Sequence, residues 1–223
     1  MRVVTTAHRP LRIAGVIGPL LFVIVFLVEG ATRPGYSAWR NFVSQLATGD
    51  GGWMQVVNFL VCGTLMLCFA IGLRLSLGSG RASIAAPILL GAFGLALITA
   101  GIFVTDPALG YPVGAPIVHT THGLIHGLAG LAAFSTLAAA SIVMAWRFVA
   151  DPTTRRWAIY SLFTGLLIFA CFVASNVFSV LDATDALPNA PTGLVQRISI
   201  IGGWTWIVLI ALHLIRIDVI KSA

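Results

Sequence analysis

The sequence predicts an all-α polytopic membrane protein, a bundle of six transmembrane helices. Three observations predict it. Six apolar stretches, each of roughly 20 residues or more, are long enough to cross a hydrocarbon layer of ~30 Å at 1.5 Å per residue. The chain of 223 residues is 58% hydrophobic and 9% charged, with a mean hydropathy of +0.99. That exceeds what a soluble core of this size requires. The basic residues also alternate between loops, as positive-inside topology demands.

The first span covers residues 11–29 and follows Arg2, Arg9 and Arg12. Its apolar run is long for a signal peptide, and Val28-Glu29-Gly30-Ala31 is a poor cleavage site, so the span is expected to be retained. The connection after it, 30–52, is the longest. There Tyr36, Trp39, Val43 and Leu46 recur at helical spacing, with Arg40, Asn41, Ser44 and Gln45 opposite. This predicts a short amphipathic helix lying in the outer interface and ended by Gly49, Gly51 and Gly52. Further spans are predicted over 53–75, 83–104, 118–148, 158–181 and 194–215. The connections 105–117 and 182–192 are rich in Pro, Gly and Ala and read as turns. Little sequence remains outside these elements, so 1–223 is expected to form one integral membrane domain.

Charge sets the expected orientation. Arg2, Arg9, Arg12, Arg74, Arg81, Arg147, Arg155, Arg156, Arg216 and Lys221 fall on one side, and Arg33, Arg40 and Arg197 on the other. Both termini are therefore expected in the cytoplasm, in a multi-pass protein of a cell membrane. The net charge of +6 resides at helix ends and predicts no nucleic-acid partner. Cys62, Cys68 and Cys171 lie inside spans, show no metal-ligand spacing and read as small buried hydrophobes.

Candidate chemistry gathers at the outer end of the fourth span. His119, His122 and His126 lie within ~60° on a helical wheel and descend ~10 Å. His122 and His126 are four residues apart, a spacing that lets two imidazoles reach one zinc ion. Gly123, Gly127 and Gly130 run beside them and predict a close helix contact that turns the histidines inward. Asp106 follows the third span and is placed to complete a metal shell or to hold an imidazole tautomer. Solvation or hydrogen bonding to backbone accounts for the same histidines without any metal. Ser44 is a nucleophile candidate without a recognisable elbow. Asn58 and Arg197 are candidate pocket residues, although interhelical hydrogen bonding accounts for the first and interfacial anchoring for the second. Trp204 and Trp206, mid-span, read as packing.

Several fragments carry a resemblance that runs through nearly the whole chain. They are Val43-Ser44-Gln45-Leu46, Asn58-Phe59-Leu60 with Gly63, Gly101-Ile102-Phe103-Val104-Thr105-Asp106-Pro107, the histidine region, and Gly193-Leu194-Val195-Gln196-Arg197 followed by Trp206. In this order and spacing the chain resembles a bacterial membrane family known as domain of unknown function 998. Members often have an acid after the loop serine, where this chain has Gln45. The family implies a membrane fold, in a bacterial inner membrane, and imports no activity. A looser similarity, to the alkaline ceramidase and progestin-receptor-like superfamily, rests on Ser44, Asp106, His122 and His126. It implies zinc at one membrane face. Those proteins usually have seven spans and place a histidine pair in the last.

Two functions follow as expectations. One is a non-enzymatic protein whose outward-facing polar pocket binds a membrane lipid or seats another membrane subunit, a second copy of itself included. The other is a zinc-dependent hydrolase of a lipid amide or ester at the outer face, with His122, His126 and either Asp106 or His119 as ligands. Its catalytic candidates are Asp106 and Ser44.

Overall fold

The computed structural model of the chain describes residues 8–222, with side chains through residue 217. Arg2, counted above for topology, lies outside the described residues, as do the side chains of Asp218 and Lys221. Six long helices form: α1 (Arg9–Thr32), α2 (Trp53–Leu77), α3 (Ala85–Ile102), α4 (Thr121–Phe148), α5 (Arg155–Ala183) and α6 (Thr192–Ser222). All six contain stretches long and apolar enough to cross a membrane. The spans read from hydropathy are therefore present, with ends shifted by a few residues. The third is two residues shorter at each end, and the fifth begins at Arg155.

Each helix packs against its neighbours in sequence, and α6 returns to pack against α1. The result is a closed up-and-down ring. Side chains that point outward from it are apolar: Ile17, Leu20 and Ile24 on α1, Leu124, Leu128 and Leu131 on α4, Phe163, Leu166 and Phe169 on α5. In water such a surface would aggregate, whereas in a bilayer it matches the solvent.

The interior is aromatic at mid-depth. Phe22 stacks on Trp204 with centroids 4.7 Å apart, and Phe93 meets the same indole edge-on at 5.3 Å. Trp206 is fully buried and donates its Nε1–H to Ser161 Oγ at 2.9 Å, which satisfies its polar end. Trp204 and Trp206 are thus packing residues of the bundle centre. Cys62 is buried, Cys68 and Cys171 are half-buried, and all three are free thiols.

Close helix approach depends on glycines other than those singled out in α4. Gly63 of α2 and Gly94 of α3 face each other. A Cβ added to either would stand 2.7 or 2.8 Å from the other's carbonyl oxygen. Added carbons at Gly127 and Gly130 would meet nothing within 4 Å. The expected glycine contact along α4 is therefore absent at these two positions. Gly127 lies ~100° around the helix from His126, so it cannot share the inward face.

The ring is open at its basic end and covered at the other. The cover is the 33–52 connection. The short helix expected there exists as a 3₁₀ segment, Val43–Ala47. It does not lie flat in an interface: Val43, Gln45, Leu46 and Ala47 are buried. The segment is tucked into the mouth of the ring, against α1, α2 and α6. The pattern that suggested a longer surface helix arises because this loop has apolar residues to bury and polar residues that bind its own backbone.

Candidate functional site

The covered end is joined by side chains that reach across hundreds of atoms of sequence-distant chain. Gln45 accepts from the Phe42 N–H at 2.9 Å through Oε1 and donates from Nε2 to the Ala108 carbonyl and, at 3.3 Å, to the Tyr111 carbonyl. Asn41 donates to the Leu109 carbonyl at 3.0 Å. These two amides bind the first connection to the third. Two residues of α6 bind it to the ring wall. Gln196 Oε1 accepts from the Val43 N–H at 2.8 Å. Arg197 donates to the carbonyls of Ala38 at 2.7 Å, Asn41 at 3.0 Å and Gly193 at 2.9 Å, and to the Tyr36 hydroxyl. A planar guanidinium with several fixed donors suits such a cluster of carbonyls.

Three contacts complete the cover. Arg40 forms a bidentate pair with Asp182, both bonds at 2.7 Å, with the carboxylate buried. This pairing holds the Arg40 guanidinium above its ordinary pKa. Arg33 bridges Glu29, at 2.6 Å, to the carbonyls of Asp50 and Gly51. Trp39 donates to the Asn189 carbonyl at 2.9 Å. Burial pushes the Tyr36 hydroxyl pKa up, and nearby Arg197 pulls the other way.

Beneath the cover lies a cavity of about 80 Å³. Its deep wall is apolar, built from Phe22, Phe93, Leu97, Leu137 and Trp204. Its polar members are His126, Ser44, Gln196 and Ser199. On α4 its lining runs from His126 down to Leu137, so its polar and apolar members lie at different depths along that helix. Gly130 lines it without a side chain to fill it.

His126 is 7% exposed, and its Nδ1 lies 2.8 Å from the Phe103 carbonyl and 3.0 Å from that of Ala100. Carbonyl oxygens only accept, so Nδ1 carries the proton, and in the neutral ring Nε2 holds the lone pair. Gln196 is 8% exposed and uses Oε1 on Val43, which leaves its amide N–H₂ as donor. Ser199 Oγ already donates to the Ile168 carbonyl at 3.1 Å.

The other sequence candidates disperse. His119 precedes α4 altogether, since Thr120 is the N-cap, so the wheel argument does not apply to it. His119 and His122 are exposed, and the His122 ring rests edge-on against Phe103 at 5.2 Å. Asp106 accepts from the Thr120 N–H at 2.8 Å and from the Thr120 hydroxyl at 2.6 Å, while Thr120 Oγ accepts from the Gly123 N–H at 3.0 Å. This is a two-layer helix cap. The two Thr120 bonds hold the Asp106 carboxyl below its usual pKa, with smaller contributions from His119 and His122. Among the described residues no three His, Cys, Asp or Glu side chains are grouped to hold a metal ion. Zinc ligation by His122 with His126 would also need a partner set that the exposed and buried positions of these two rings do not bring together. Asn58 is buried, donating to the Phe22 carbonyl at 3.2 Å and to Gln55 Oε1 at 3.1 Å, and so joins α2 to α1. Arg197 and Asn58 are structural links, not open pocket walls, and Ser44 faces the cavity instead of the exterior.

The residues that place the cover, Gln45 and the Gln196-Arg197 pair, fall within the fragments that carried the family resemblance. A family profile with the description "Protein of unknown function (DUF998)" matches residues 16–213. The chain belongs to the DUF998 family. The match takes in all six helices, the cover and the cavity, so these are features of a DUF998 domain and not of an appended segment. No curated protein and no solved structure matches the chain.

Proposed function

We propose that this DUF998 protein is a lipid-binding protein of a bacterial inner membrane, oriented with its basic end in the cytoplasm. Its ligand is a single apolar chain that ends in an uncharged hydrogen-bonding group. The observation that carries the reading is the covered cavity, apolar at depth with a few convergent polar groups at one level, which is the usual make-up of a small-molecule site. A hydroxyl, amide or protonated carboxyl suits the polar level: it accepts from the Gln196 amide and donates to His126 Nε2, with Ser44 beside it. The apolar part then lies along Phe93, Leu97 and Leu137. A volume of about 80 Å³ is roughly half that of an engineered cavity that binds benzene, so it takes the end of one chain and not a whole phospholipid.

Native mass spectrometry of protein released from its own membranes tests this. Wild type should carry a lipid adduct, and Gly130→Leu, which fills the cavity where there is open space, should lose it while remaining folded. His126→Phe should lose it as well. A bare wild-type protein, or an adduct that persists in both variants, would sink the reading.

A further inference from the structure

A second cavity lies at the opposite, basic end of the ring, and it is unlike the first. It is an open cleft of about 560 Å³ between the α2–α3 connection, α4, the α4–α5 turn and α6. Its floor is apolar: Leu77, Met144, Phe148, Ile210 and Leu214. Its rim carries Arg81, Arg147 and His213, with Ser79 and Asp151. The cations are fixed in place. Arg147 donates to the Arg81 carbonyl at 2.7 Å and to the Leu77 carbonyl at 2.9 Å, which holds the end of α2. The Arg81 guanidinium sits over the Trp146 ring at 5.3 Å. The His213 ring packs against Trp157 at 4.7 Å and Phe148 at 6.1 Å. The one acid of the rim, Asp151, spends its carboxylate on the Thr153 N–H at 2.9 Å and hydroxyl at 2.8 Å.

We infer that this cavity binds the headgroup of an anionic phospholipid, its phosphate between Arg81 and Arg147 and its glycerol end over the apolar floor. Charge selects the anion, since the rim holds two arginines against one carboxylate that is already hydrogen-bonded. The floor selects a lipid over a free ion, because a small hydrated anion gains nothing from the accessible apolar surface of Leu77, Phe148 and Leu214. The position selects the leaflet: basic pockets between helices at a cytoplasmic face are where anionic headgroups bind. This inference is independent of the ligand proposed for the covered cavity.

The test uses the full chain in detergent, titrated with dioleoyl phosphatidylglycerol, dioleoyl phosphatidylcholine or inorganic phosphate, with binding followed by native mass spectrometry and unfolding temperature. Phosphatidylglycerol should bind more tightly than phosphatidylcholine and raise the unfolding temperature. Arg81→Gln should weaken it roughly fivefold, the usual worth of one basic residue near an anionic surface, and Arg81→Lys should restore most of the loss. Arg81 is the variant of choice because it is exposed, whereas loss of Arg147 would also release the end of α2. Equal binding of the two lipids would overturn the inference. So would an undiminished preference in Arg81→Gln, or inorganic phosphate reproducing the whole thermal shift.

Discussion

Arg197 and Tyr36, 161 residues apart in the chain, are joined twice: the guanidinium donates to the phenolic oxygen, and it lies over the same ring 5.4 Å from its centroid. The Tyr36 hydroxyl passes the contact on by donating to the Phe42 carbonyl at 3.0 Å. One arginine therefore fixes the first half of the covering loop, residues 36–42, to α6.

Removing it should be costly. Arg197→Ala removes the charged donor that the Ala38 and Asn41 carbonyls and the Tyr36 hydroxyl share, and a loss of ~3 kcal/mol is expected from breaking a cluster of this kind. Arg197→Lys should recover little, because a single ammonium cannot reach carbonyls that a planar fork spans. Tyr36→Phe, which removes one link, should cost ~1 kcal/mol. Denaturant unfolding in a mild detergent measures all three, and an Arg197→Lys protein as stable as wild type would contradict the account.

Glycine substitutions should separate along the geometry of the ring. Gly63→Ala and Gly94→Ala force α2 and α3 apart, because the new carbon meets backbone and not a flexible side chain, and each should destabilise by ~1–3 kcal/mol. Gly127→Leu, on an open face, should stay within ~0.5 kcal/mol of wild type. Thermal unfolding that ranked Gly127→Leu as the worst of the three would reverse the assignment of contacts.

Acid should loosen the start of α4 through Asp106. Its carboxyl is held below the ordinary value by Thr120, so its contribution to folding is complete above about pH 3.9, the unfolded value. The contribution declines as the pH falls from there through the depressed folded value. Protection of the first-turn amides of α4, measured as exchange relative to the intrinsic rate at each pH, should therefore fall below about pH 3.9 in wild type. In Asp106→Asn that protection should be low already at neutral pH and change less with acid.

His126 should behave as a donor to backbone. His126→Asn keeps an N–H near the position of Nδ1 and should retain most stability, whereas His126→Phe forfeits the bonds to Phe103 and Ala100. The difference should be small, ~0.6 kcal/mol being the mean for such bonds between membrane helices. Calorimetry that found Asn as damaging as Phe would show that the ring's shape, and not its Nδ1–H, matters.

The sequence makes the six helices legible because hydropathy over some 20 residues reports a property each segment has by itself. The cover was not legible for the opposite reason. Gln45 and Gln196 are isolated amides, and nothing local reveals that one holds Ala108 and the other Val43. The histidines show an intermediate case. The glycine strip argues for an inward stripe of three histidines, and only His126 is buried: α4 begins after His119, and His122 is exposed. Helical spacing over residues 36–46 puts Ser44 on the polar face of a flat-lying helix, whereas it faces the cavity because the loop turns inward.

The closure of α6 onto α1 has a consequence for how the protein is made. Spans enter the bilayer in the order of translation, so α1 to α5 are in place while the ring still has a gap. Gln196 and Arg197, which hold the covering loop, arrive with the last span. Until then the Val43 N–H and the carbonyls of Ala38 and Asn41 have no α6 partner, and the mouth of the ring stays unlatched. The last helix therefore does two things at once: it closes the wall between α5 and α1, and it brings the donors and acceptor that latch the loop over the mouth of the ring.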